Sequence, residues 1–317
     1  MAKDKQYDVV IIGAGPAGMT AATYASRANL SVLMLDRGIY GGQMNNTAEV
    51  ENYPGFDSIL GPDLSEKMYA SSTRFGAEYG FGTVESIEID GHNKIINTDM
   101  GRYIAKTIII ATGSEHVHLG TDGEEDYQGR GVSYCAVCDG AFFRDEDVVV
   151  VGGGDSAIEE GLYLTNLARS VTILHRRDSL RAQKIIQDRA FANDKMSFRW
   201  HTEVIEITGD SDKVTGVRVI DNQTHEVSQI NTSGVFVYVG LKPNTQGFEN
   251  LDITNDDGWV ITDEQMRTAI PGVFAVGDVR AKELRQITTA VGDGSIAGQG
   301  VYDYISALPV AVNEPVN

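Results

Sequence analysis

Two strand–glycine loop–helix segments constrain most tightly what this chain can fold into. The first begins with the β-rich apolar run Tyr7-Asp-Val-Val-Ile-Ile12 and turns through Gly13-Ala-Gly15-Pro16-Ala17-Gly18 into the helix formers Met19-Thr-Ala-Ala-Thr-Tyr-Ala. The second runs from Asp147-Val-Val-Val-Val151 through Gly152-Gly-Gly154-Asp155-Ser156-Ala157 into Ile158-Glu-Glu-Gly-Leu. A short, uninterrupted apolar run suits a strand buried on both faces. Glycines at this spacing let the backbone turn tightly and approach a pyrophosphate held at a helix N-terminus. Both segments therefore predict dinucleotide-binding βαβ units in an α/β fold.

The two units differ where they would meet the adenosine ribose. In the first, the strand 31–35 ends in Asp36, 21 residues after Gly15. A carboxylate there hydrogen-bonds free ribose hydroxyls, so this site fits an unphosphorylated adenosine, as in FAD or NAD. In the second, the strand 170–174 ends in His175-Arg176-Arg177, with Arg181 one turn on. Guanidinium groups there hold a 2′-phosphate through charge-assisted bidentate bonds, so this site fits NADP(H). A solvated basic face is the plain alternative, and the register with the fingerprint argues against it.

Between the two fingerprints lie the only cysteines of the chain, in Cys135-Ala-Val-Cys138-Asp139-Gly140. Thiols two residues apart can close and open a small disulfide ring, and each lowers the pKa of the other. Structural zinc wants four ligands, and none of the six histidines has ligand spacing near the pair. A structural bridge over so small a loop constrains the unfolded chain little. A redox dithiol followed by an acid is the reading that uses its neighbours. A net charge of −19 disfavours nucleic acid and anionic membrane surfaces. The apolar run before Gly13 is too short for a signal peptide or spanning helix, and a cytoplasmic protein is expected.

The remaining stretches supply context. Residues 38–55 form a long loop without periodicity, suited to wrapping a large cofactor. Residues 63–80 read as an amphipathic helix. Residues 82–110 read as β-rich, closing on Ala111-Thr112-Gly113. Residues 197–240 are again β-rich, with a hairpin near Asp221 and a buried strand over 234–239. Late in the chain, Gly272-Val-Phe-Ala-Val-Gly277-Asp278 ends an apolar strand in an acid ahead of Arg285-Gln286-Ile287 and an Ala/Gly-rich helix. An acid beside a helix N-terminus suits hydrogen bonding to a polyol chain and a ring carbonyl.

Together these motifs, with Gly41-Gly42-Gln43 and Glu49-Val-Glu-Asn52-Tyr-Pro-Gly55, resemble those of the low-molecular-weight, bacterial-type thioredoxin reductases over essentially the whole chain. The resemblance implies an α/β fold of two Rossmann-like (three-layer ββα) dinucleotide-binding domains, the second inserted in the first. The FAD domain would span 1–116 and 247–317, and the NADPH domain, carrying the dithiol, 117–246. It implies FAD contacts at Gly13, Gly15, Pro16, Ala17, Gly18, Asp36 and Arg37, and at Gly42, Gln43, Asn52, Val84, Thr112 and Gly113. Further FAD contacts are implied at Gly277, Asp278, Arg285, Gln286 and Ile287. NADPH contacts would come from Gly152, Gly154, Asp155, Ser156, Ala157, His175, Arg176, Arg177 and Arg181. No metal is implied.

Flavin joins a hydride donor to a dithiol, both two-electron couples. By the resemblance Cys138 faces the flavin, Cys135 attacks the disulfide of thioredoxin, and Asp139 protonates the leaving thiolate. A homodimer is implied, as is rotation of the NADPH domain about hinges near 114–120 and 241–247. Arg130 is a candidate for local contact with the partner. A flavin-dependent dithiol oxidase, or a reductase of another thioredoxin-like protein, is the alternative. The oxidase needs no NADPH, and the arginines argue against it. A redox sensor would need an effector domain, and peroxiredoxin-reductase subunits carry an additional N-terminal region; neither is expected here.

Overall fold

A computed structural model describes residues 5–47, 49–50 and 52–309. The chain divides into two compact units. The first is built from Tyr53–Glu115 with the segment up to Asn46 and the segment from Pro243 onward; the second is His116–Lys242 with Thr47–Asn52. The sequence alone assigns that short segment to the first unit.

In the first unit, strand β1 (Lys5–Ile12) leads into helix α1 (Pro16–Arg27) and strand β2 (Val32–Asp36). Strand β3 (Glu49–Val50), in the segment that groups with the second unit, and strand β4 (Ile59–Leu60) of the first unit have two residues each. Helix α2 (Gly61–Thr73) is followed by β5 (Glu78–Phe81), β6 (Val84–Asp90), β7 (Asn93–Thr98) and β8 (Gly101–Ile110). Helix α2 is thus shorter than the expected 63–80, because Gly76 with φ +94° breaks it and the chain turns into β5. Strands β5, β2, β1 and β8 run parallel, and β8, β7 and β6 continue as an antiparallel meander. Val9, Val10 and Ile11 are all fully buried, as a strand covered on both faces requires.

The two linkers hold β9 (Ser114–His116) and, later, β18 (Leu241–Pro243), which pair as a two-stranded ribbon. The second unit continues from β9 with β10 (Val132–Ser133), α3 (Ala136–Asp139), β11 (Asp147–Gly152), α4 (Asp155–Leu164) and β12 (Ser170–Leu174). Then come α5 (Lys184–Phe191), β13 (Met196–Arg199), β14 (Thr202–Gly209), β15 (Val214–Asp221), β16 (Val227–Asn231) and β17 (Gly234–Tyr238). Its parallel sheet has the order β10-β17-β11-β12-β13, and β14-β15-β16 form an antiparallel meander. Strand β11 shows how the layers are made. Val148 and Val150 pack with Ile158, Leu164 and Ile186 of the helices, whereas Val149 and Val151 pack with Val204, Val217 and Val219 of the meander. Successive side chains of a strand point to opposite faces, so one all-valine run serves two cores.

The C-terminal part returns to the first unit with β19 (Val273–Ala275), parallel to β8, and the 20-residue helix α6 (Ile287–Ser306). Helices α1 and α6 pack closely because glycines face α1: a Cβ on Gly294 would lie 2.3 Å from the Ala17 carbonyl oxygen, and one on Gly298 2.8 Å from that of Ala21.

Candidate functional site

The first unit brings its predicted residues together around the turn from β1 to α1. Gly13 has φ +106°, and a Cβ on it would lie 2.3 Å from the carbonyl oxygen of Ala111 at the end of β8. A Cβ on Gly18 would lie 2.0 Å from the Gly13 oxygen. Gly15, by contrast, has nothing within 4 Å of its would-be Cβ. The loop is thus packed hard on its inner side and open at the position where a phosphate approaches. Pro16 opens α1 with its fixed φ, and Ala17 is buried. Asp36 accepts from the Ala14 amide at 2.7 Å through Oδ2 and from the Gly38 amide at 2.9 Å through Oδ1, so it ties the loop to the end of β2. Arg37 is exposed and pairs with Glu115.

Gly42 and Gln43 begin a 3₁₀ turn over Gly42–Asn46, and a Cβ on Gly42 would sit 3.4 Å from the Gly15 Cα. Thr112 donates to the Asn244 carbonyl at 2.5 Å and accepts from the Asn244 amide side chain at 3.1 Å, and Gly113 follows with φ +68°. Gly277, φ +73°, meets Ala17 of the glycine loop, a Cβ there lying 3.0 Å from the Ala17 Cβ. Next to it, Asp278 Oδ1 is buried and has no hydrogen bond among the described residues. Lys282 Nζ, at 3.5 Å, reaches it as an ion pair only. Burial pushes the Asp278 carboxyl above its ordinary pKa, against the opposing pull of Lys282 and Arg285. Arg285 bonds the Asp278 and Arg280 carbonyls and stacks 3.8 Å over Trp259. Gln286 caps α6 in a capping box, and Ile287 is the first residue of that helix. Val84 is half-buried on β6 against Gly247, and Asn52, which is exposed, groups with the second unit. An open glycine loop beside an orphaned buried carboxylate oxygen fits a dinucleotide carrying hydrogen-bond donors.

The second unit repeats the loop. Gly152 has φ +153°, and a Cβ on it would meet the Tyr238 oxygen at 2.5 Å and Ala157 Cβ at 2.7 Å, while Gly154 is open. Ala157 is fully buried and Ser156 exposed. Asp155 accepts from the Gln183 amide at 2.6 Å. The Gly153 carbonyl accepts from the amides of Arg181 at 2.7 Å and Ala182 at 3.2 Å. These bonds fold the segment before α5 back over the loop and bring Arg181 to it. Arg176, Arg177 and Arg181 are exposed, and none of them has an acidic partner among the described residues. His175 behaves differently. Its ring is buried directly under Gly153, within 2.2 Å of where a Cβ would be, and Nε2 bonds the Ser179 carbonyl at 3.1 Å. Burial, and then the three arginines, hold its pKa below the ordinary value, against the Ser179 bond. It supports the loop as a neutral ring.

In the same unit Cys135 and Cys138 form a disulfide. Cys135 caps α3, and the Cys138 amide donates to its Sγ at 3.2 Å. Asp139 is half-buried and accepts from Ser133 Oγ at 2.6 Å. Burial raises its carboxyl pKa, and the serine bond opposes this only in part. Sequence reasoning passed over Ser133 and two further residues beside the disulfide. The Tyr238 hydroxyl accepts from the Ala136 amide at 2.6 Å and lies 3.5 Å from Glu160 Oε2. The Glu160 carboxylate is met by the amides of Val137 and Ala136, and burial raises its pKa. The available signals were a tyrosine ending the apolar strand Gly234-Val-Phe-Val-Tyr238 and a glutamate on the inner side of the helix after the second fingerprint. Among the described residues no group of side chains could hold a metal ion.

Residues 7–294 match the pyridine nucleotide-disulphide oxidoreductase family. The thioredoxin reductase of Listeria monocytogenes is 59% identical over 307 residues, covering 96% of each chain. That of Bacillus subtilis (strain 168) is 56% identical over 309 residues, covering 97% of this chain and 98% of its own. The crystal structure of thioredoxin reductase from Streptococcus pyogenes superposes with a TM-score of 0.92 at 57% identity, over 96% of this chain and all of the other. That similarity extends to two Rossmann-like domains, the architecture of the two parallel sheets described above.

Proposed function

The chain belongs to the pyridine nucleotide-disulphide oxidoreductase family, and on that premise we propose that it is an NADPH-dependent thioredoxin-disulfide reductase. The observation that carries this reading is the Cys135–Cys138 disulfide beside a carboxyl whose pKa burial has raised, in one unit with three exposed arginines.

FAD would be held by the Gly13–Gly18 loop, Asp36, Thr112 and the Gly277–Ile287 segment, with lesser parts for Arg37, Gln43, Asn52 and Val84. When bound it supplies a two-electron relay between nicotinamide and dithiol. The loop Gly152–Ala157 would hold the NADPH pyrophosphate, and Arg176, Arg177 and Arg181 its 2′-phosphate.

In the reduced protein the Cys138 amide stabilises charge on Cys135. The Cys135 thiolate attacks one sulfur of the thioredoxin disulfide, forming a mixed disulfide and releasing one partner thiolate. The Cys138 thiolate then attacks the Cys135 sulfur, closes the internal disulfide and releases the second partner thiolate. Asp139 gives that thiolate its proton, a role that requires a carboxyl still protonated near neutrality. Among the described residues no helix is long and apolar enough to cross a membrane. We place the protein in the cytoplasm, as a homodimer.

Stopped-flow absorbance tests the whole reading. NADPH, and not NADH, is expected to bleach the flavin band, and oxidised thioredoxin to restore it. Restoration by oxygen alone at the same rate would point to a dithiol oxidase, and equal bleaching by NADH would remove the role of the arginines.

A further inference from the structure

Asp293 lies on α6, seven residues after Gln286, and belongs to none of the motifs above. Its side chain is only 12% exposed, yet its Oδ2 takes three donors: the Gly277 amide at 3.0 Å, Arg280 Nη1 at 2.9 Å and Lys282 Nζ at 3.1 Å. Lys282, also 12% exposed, bridges from Asp293 to Asp278 Oδ1 at 3.5 Å and to Thr289 Oγ1 at 3.3 Å. Arg280 is fixed on its other side by Thr262 Oγ1 at 2.7 Å. These contacts bind both ends of the Gly277–Lys282 turn to the helix behind it, and the turn carries the orphaned carboxylate oxygen of Asp278.

We infer that Asp293 and Lys282 are positioning residues for the flavin, which fix the Asp278 turn and set the charge that the bound ring system meets. The inference rests on reading the first unit as the FAD site. Around the turn stand the cations Arg280, Lys282 and Arg285 and the anions Asp278, Asp293 and Glu283; Glu283 is exposed, so among the groups shielded from solvent there is an excess of one positive charge at the N-terminus of α6. A helix N-terminus adds partial positive charge. With little solvent to screen it, such an excess favours whichever redox state of a bound group is the more negative. For a flavin that is the reduced state. Removing Lys282 therefore disfavours reduction, and neutralising Asp293 favours it.

The test is the midpoint potential of the bound flavin in the full-length holoprotein. Lys282→Met is expected to weaken reduced relative to oxidised flavin about tenfold, a shift of about 30 mV to more negative potential for a two-electron couple. Asp293→Asn is expected to shift it by a similar amount in the positive direction, and the double variant to return close to the parent value. A loosened turn alone would not give opposite signs. Unchanged potentials, or shifts of the same sign in both single variants, overturn the inference. Should Lys282→Met purify without flavin, FAD binding to the apoprotein by calorimetry decides. Recovery of affinity in the charge-conserving Lys282→Arg supports the inference, and failure to recover overturns it. Parent protein that binds no flavin would defeat the FAD reading itself, whereas bound flavin with unshifted potentials defeats only this inference.

Discussion

At the residue scale the chemistry turns on how burial retunes single groups. Asp139 ends α3 and Glu160 meets the amides of its first residues, and both carboxyls have raised pKa values chiefly through desolvation. His116 is pushed the other way, to about 4, by burial and by His118. The consequences for stability have opposite signs. A carboxyl with a raised native pKa binds its proton more tightly when folded. Its contribution is full below the unfolded carboxyl value of about 4 and is lost as pH rises through the native value. His116 contributes above its unfolded value and loses that contribution as pH falls from about 6.5 toward 4. Asp139→Asn should therefore lose progressively less against the parent as pH rises from 5 to 8, measured by urea unfolding. The same variant should reduce thioredoxin slower by about 10²–10⁴-fold, the usual span for a lost general acid, with NADPH still reducing the flavin. A pH-independent stability gap would mean that the native carboxyl titrates like an unfolded one.

At the element scale the dithiol depends on how α3 is held. This helix has one turn, too short to be stable alone. Its Ala136 amide is bonded to the Tyr238 hydroxyl at the end of β17, and its Asp139 side chain to Ser133 at the end of β10. The strand ends of the parallel sheet, rather than helix propensity, fix the disulfide. Tyr238→Phe takes from the buried Ala136 amide one of its two acceptors and leaves it the Glu160 carboxylate, at a cost of about 0.5–1.5 kcal/mol. Chemical denaturation should detect that loss. A change below a few tenths of a kcal/mol would show that Glu160 takes over the amide.

At the scale of the whole molecule each of the two units keeps its own core. That of the first joins Val10, Leu33 and Ile110 to Phe248 and Val260; that of the second packs β11 and β12 against the helices on one face and the meander on the other. Each core lies behind its own glycine loop. Calorimetry of the apoprotein should therefore resolve two transitions. FAD should raise only one, and 2′,5′-ADP only the other. At 100 times its Kd, either ligand adds about 2.7 kcal/mol to the unit that binds it. A single transition raised equally by both ligands would mean that the units unfold as one.

The sequence by itself determined the parts of the protein that local rules govern. The glycine loops, the buried strands before them, Asp36 and the arginine cluster follow from backbone sterics and from fixed spacing within a βαβ unit, so they could be read at Gly13–Gly18, Gly152–Ala157 and Arg176–Arg181. The two cysteines were legible for the same reason, being three positions apart. Only the tertiary structure decided the rest. It buried His175 beneath Gly153, while the neighbouring arginines stay exposed. It grouped 47–52 with the second unit, and ended α2 at Thr73, ahead of Gly76. It also brought Tyr238 to Ala136 across 102 positions and Asp293 back onto Gly277. Such contacts join residues far apart in the chain, and no spacing rule encodes them. They form because packing two sheets and their helices leaves a few buried polar atoms that must find partners where they lie.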